Sequence, residues 1–97
     1  MVNIKIGPDE NNWILLVDNK VSCVLGDLRS AIFIEDREEP TRTSEEFINE
    51  MIEEINNRQK YPEEYDESQR LKYPVDTKEL YEQLKVELLA IYYFYLV

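Results

Sequence analysis

Ninety-seven residues are enough for one domain, residues 1–97, built around a modest core. Apolar residues make up 43% of the chain, and seven Tyr, three Phe and a Trp beside only two Gly argue against a disordered chain. The formal net charge is −10, from 21 acidic and 11 basic residues. Such a field repels nucleic-acid phosphates and anionic membranes, so direct binding to either is not expected.

In chain order, Val2, Ile4 and Ile6 alternate with Asn3, Lys5 and Gly7, the period-2 pattern of a strand with one buried face. Gly7-Pro8-Asp9-Glu10-Asn11-Asn12 is dense in turn formers. Trp13 to Val17 is apolar throughout, as expected of a central strand covered on both faces. Asp18-Asn19 suits a two-residue turn, because both residues tolerate left-handed backbone. Lys20 to Leu25 reads as the returning strand, closed by Gly26-Asp27. Ser30 to Ile34 is a fourth candidate strand, although Leu28 to Ala31 also suits a short helical turn. The first third is thus a three- or four-stranded antiparallel meander over residues 2–34.

The period then changes to helical. Thr43-Ser44 before Glu45-Glu46 is an N-cap followed by acids that suit the positive end of a helix dipole. Phe47, Ile48, Met51, Ile52 and Ile55 form one apolar stripe, which predicts a helix over about 44–59. Residues 61–75 are polar and loop-like, between Pro62 and Pro74. A second helix, about 76–95, starts from Asp76-Thr77 and buries Leu80, Leu84, Leu88, Ile91, Tyr92 and Tyr95. From Leu88 to Val97 the polar face disappears, so this end is either buried all round or covered by a partner. The run Ile91 to Val97 also has strand propensity. The fold class is α+β, with two helices packed on one face of an antiparallel sheet.

Much chemistry is excluded. The chain contains no His, which removes Ser-His-Asp and Cys-His constellations and His metal ligands. A lone Cys23 leaves no cysteine pair for zinc or a disulfide. Without a glycine-rich loop or an EF-hand spacing, neither a phosphate cradle nor a calcium loop is read, and no cofactor or metal is expected. The lone Cys and an N-terminus without a basic region followed by an apolar run point to a cytoplasmic protein. No apolar run reaches the length of a membrane span. Catalysis is not expected.

The excess charge is segregated. Residues 35–67 hold thirteen acids and four bases, whereas residues 1–34 carry a net −1 and residues 68–97 a net zero. On the predicted helix, Glu46, Glu50, Glu53 and Glu54 share the face opposite the apolar stripe. Like charges four residues apart oppose the helix by a few tenths of a kcal/mol per pair. Glu35, Asp36, Glu38 and Glu39 precede this face, and Glu63, Glu64, Asp66 and Glu67 follow it. Tyr61 and Tyr65 lie in the second acidic loop, and tyrosine is enriched in interfaces. These residues form the expected partner-binding surface. The expected partner is a basic protein, such as a nuclease or another nucleic-acid-binding protein. The expected role is that of a small acidic inhibitor, similar in character to phage counter-defence factors and nuclease immunity proteins. The competing expectation is a structural module that forms a homodimer through Leu88–Val97.

Overall fold

The computed structural model describes residues 2–34 and 37–97. Three strands, β1 (Ile4–Asp9), β2 (Asn12–Val17) and β3 (Lys20–Gly26), form an antiparallel meander in the order β1-β2-β3. Both hairpins turn on two residues. Asp18 and Asn19 adopt φ of 49° and 66°, the left-handed pair that matches the twist of the flanking strands. The first hairpin is longer than the turn-rich sequence suggested. Gly7, Pro8 and Asp9 stay in register with Ile14, Trp13 and Asn12, and only Glu10-Asn11 turns, with Glu10 at φ 56°. Pro8 is tolerated there because β1 is an edge strand.

Among the described residues there is no fourth strand. Arg29–Ile32 is instead a single helical turn, α1. The carboxylate of Asp27 accepts from the Arg29 N–H at 3.0 Å, and the Ser30 hydroxyl donates to the Asp27 carbonyl at 2.8 Å. These local bonds satisfy the backbone that a strand would have had to pair.

Helix α2 (Ser44–Lys60) begins with a capping box. The Glu46 N–H donates to the Thr43 hydroxyl at 3.2 Å, and the Thr43 N–H donates back to the Glu46 carboxylate at 3.2 Å. Two one-turn 3-10 segments follow, Pro62–Glu64 and Glu67–Gln69. Helix α3 (Tyr81–Leu96) starts later than the sequence suggests. Asp76 caps a separate turn, accepting from the N–H groups of Lys78 and Glu79 at 3.0 and 3.2 Å. Leu80, at φ −102° and ψ 13°, then breaks from helical geometry. The end of the chain is helical through Leu96 and not a strand. Ile91 and Tyr92 continue the buried row of Leu84 and Leu88, and the Tyr92 hydroxyl donates to the Arg42 carbonyl at 2.9 Å.

Ile4, Ile6, Leu15, Val17, Cys23 and Leu25 bury the inner face of the sheet against Phe47, Ile55, Leu84 and Leu88. The other face is less covered than the all-apolar β2 implied. Ile14, Leu16 and Val24 are half-buried and Val21 is exposed. The apolar run of β2 therefore reflects its central place in the sheet and not cover on both faces. At Ser22 the pairing slips, Leu15 opposing Cys23 and Leu16 opposing Val21. The bulge leaves Ser22 buried against the chain that follows the 3-10 segments, which it holds. Its carbonyl accepts from the Lys72 N–H at 2.8 Å, and its hydroxyl bridges the Tyr73 backbone at 2.8 and 3.0 Å.

Candidate partner-binding site

Of the four helical carboxylates expected to act together, three are held, each by a different partner. Glu46 belongs to the capping box, where the backbone N–H of Thr43, and then its hydroxyl, lower the carboxyl below its ordinary range. Glu50 pairs with Arg42 at 2.8 Å. Glu54 pairs with Arg58, one turn ahead on the helix, at 3.2 Å. Glu53 is exposed and makes no ion pair among the described residues. Arg42 thus offsets part of this face from the segment before the helix. A second bond of the same Arg42 nitrogen, to the Ala31 carbonyl at 2.7 Å, anchors it to α1.

The acidic flanks behave differently. Glu38 and Glu39 are exposed, and the expected contributions of Glu35 and Asp36 lie outside the described residues. Glu63, Glu64, Asp66 and Glu67 are exposed on the two 3-10 segments, and none of them forms an ion pair among the described residues. This stretch is nevertheless tightly held. Arg70 Nε donates to the carbonyls of Pro62 and Tyr65, at 2.7 and 2.9 Å. Asp66 and Gln69 form a capping box of their own. The expectation of a plain polar loop is thus corrected: these are two turns closed by side chain to backbone bonds.

Arg58 is the residue that the sequence reading missed. Its side chain is 6% exposed and joins three parts of the fold. One terminal nitrogen donates to the Val24 carbonyl on β3 at 2.7 Å and to the Gln69 carbonyl at 3.3 Å, while Nε holds Glu54. The Tyr65 ring lies 5.7 Å from the guanidinium. Burial, and then the nearby Glu54 carboxylate, raise the Tyr65 hydroxyl above its ordinary value. A signal was available: position 58 lies three residues after Ile55 and seven after Met51, on the buried arc of α2. A cation there must find carbonyls or carboxylates. Tyr61, by contrast, is exposed at the end of α2 beside Lys60, whose ammonium lies 5.4 Å from its ring.

Cys23 is buried, and that burial raises its thiol pKa despite the opposing pull of Arg58, so it is held as a neutral core side chain. An open cavity of about 270 Å³ lies between α1 and α2 on a floor of Leu25, Leu28 and Phe47. The two ion pairs, Arg42–Glu50 and Arg58–Glu54, stand in its wall. No group of three or more Asp, Glu or Cys side chains among the described residues is placed to hold a metal. No helix among them is long and apolar enough to cross a membrane. No family model matches the chain, and neither a characterised protein nor a solved structure matches it.

Proposed function

We propose that this is a small, non-catalytic binding protein that seats carboxylates on the basic, nucleic-acid-binding surface of a partner protein and so inhibits it. Phage counter-defence factors and nuclease immunity proteins are the kinds of protein in which that activity is useful. The observation that supports this reading is how the chain uses its arginines around residues 61–70. Arg58 and Arg70 bond backbone carbonyls there, and Glu63, Glu64 and Glu67 stay exposed without an ion pair among the described residues. Charge kept only for solubility needs no such ordering. A docking surface gains from it, because less entropy is lost when a partner binds. Glu53 on α2 and Glu38 and Glu39 ahead of it extend the negative field, which speeds encounter with a basic partner.

The test is affinity capture with the purified protein at low and high salt, followed by an assay of whether the captured protein loses its nucleic-acid binding or cleavage. Glu63→Lys with Glu64→Lys should lose the partner, whereas the equal charge change Asp9→Lys with Glu10→Lys on the first hairpin should retain it. Capture that survives high salt unchanged, or that falls equally with both double variants, contradicts the reading.

A further inference from the structure

We propose that the outward face of α3 is the seam of a symmetric, antiparallel dimer with a second copy of this chain. The inward face of this helix is occupied by Leu84, Leu88, Ile91 and Tyr92, all buried in the protein's own core. The homodimer expected from Leu88–Val97 as a whole is therefore narrowed to the residues that core leaves free. Val86, Ala90 and Tyr93 fall at intervals of four and three residues and are all exposed, with Phe94 and Leu96 beside them and Val97 following the helix. That spacing is the seam of a helix that packs along another helix of the same spacing. A helix apolar on both faces is ordinarily buried on both.

The area fits a second copy. Val86, Tyr93, Phe94 and Leu96 are 63%, 55%, 62% and 41% exposed. With side chains of this size offering roughly 150–250 Å² each, they expose ~450 Å² per copy. Ala90, Leu89 and Val97 bring a pair to ~1,000–1,200 Å², the lower bound for a specific interface and the range of a weak, concentration-dependent dimer.

Charge sets the orientation. Toward its N-terminal end the stripe runs into Glu82, which is exposed. A parallel pair would stack this carboxylate on its own copy, whereas an antiparallel pair puts the two at opposite ends. Ala90, the smallest residue of the stripe, allows the closest approach at its centre, and Val86 then meets the aromatic Tyr93 and Phe94 of the other copy. A lipid surface fits less well. Helices that lie on membranes line their polar face with Lys and Arg, and α3 carries one Lys and two Glu.

Sedimentation equilibrium of the full chain over a wide concentration range tests this. A monomer–dimer equilibrium is expected, shifted toward dimer by salt, because salt screens the repulsion between two chains of charge −10 each. Salt acts in the opposite direction on the acidic-surface reading, so the two can fail separately. Ala90→Glu and, independently, Tyr93→Ser should remove the dimer while leaving the helical circular dichroism intact. With a mild added oxidant, Ala90→Cys should cross-link to itself far faster than Val86→Cys, against the slow background of the buried Cys23. A monomer at every concentration in high salt, a dimer indifferent to Ala90→Glu, or Val86→Cys cross-linking as fast as Ala90→Cys would overturn the proposal. So would a monomer that floats with phosphatidylcholine vesicles.

Discussion

Through one guanidinium, Arg58 ties α2 to β3 and to the second 3-10 segment. It is buried, yet its one carboxylate partner, Glu54, is partly exposed. Its other bonds go to the carbonyls of Val24 and Gln69 and to the Cys23 sulfur. Removing it leaves these acceptors without their donor, and an unpaired buried polar group is costly. Arg58→Met keeps the aliphatic bulk and should still lower unfolding stability by about 2–4 kcal/mol in urea titration. Arg58→Lys should recover less than half of that loss, because one ammonium cannot span these acceptors in the planar arrangement of a guanidinium. In both variants residues 61–72 should become the first site of proteolysis. An Arg58→Met protein as stable as the parent would show that the buried cation contributes nothing net. The stripe of α2 made this residue findable from the sequence. Its acceptors were not, since Val24 lies 34 residues away and nothing local to it announces a guanidinium.

At the scale of elements, the least expected device is the way α3 closes the edge of the sheet. β1 is an edge strand, and unpaired edges invite other strands. The Gln83 amide accepts from the Ile4 N–H at 2.9 Å and donates to the Val2 carbonyl at 3.1 Å. One side chain thus offers both a donor and an acceptor, as a neighbouring strand would. Glu87 accepts from the Ile6 N–H at 3.3 Å one turn later. Gln83→Ala should cost about 1 kcal/mol and speed hydrogen exchange at the Ile4 amide several-fold over that at Leu15. Unchanged exchange at Ile4 would mean that the amide contact does not protect the edge. The strands and α2 were legible because their signals are local: alternation in β1, the Asp18-Asn19 turn, and the Thr43 cap with its apolar stripe. The errors also have local causes. The bonds of Asp27 and Ser30 converted a strand-like run into α1, and Asp76 capped a turn that stops at Leu80. Side-chain pairing such as Gln83 with β1 joins residues about eighty apart and leaves no periodic trace.

Over the whole molecule, the segregation of charge was visible in the sequence, but its distribution in space was not. Arg42 reaches forward to Glu50 and Arg58 back to Glu54, so the negative surface moves off the centre of α2 toward the two 3-10 segments. What remains is self-repulsive. Thirteen acids and four bases lie within residues 35–67, and folding draws them closer together than they are in the unfolded chain. Added salt should therefore raise the melting temperature, on the order of a few degrees for a domain of this size, in samples dilute enough to be monomeric. Glu63→Lys with Glu64→Lys should melt higher than the parent at low salt, and the gap should close as salt screens it. Scanning calorimetry at two salt concentrations measures both effects. The same double variant is the one expected to lose the partner. Carboxylates kept where they weaken the fold and strengthen binding are the pattern of a surface selected for function. If the variant proves no more stable than the parent at low salt, those charges are already compensated, and this argument for a docking surface fails with them.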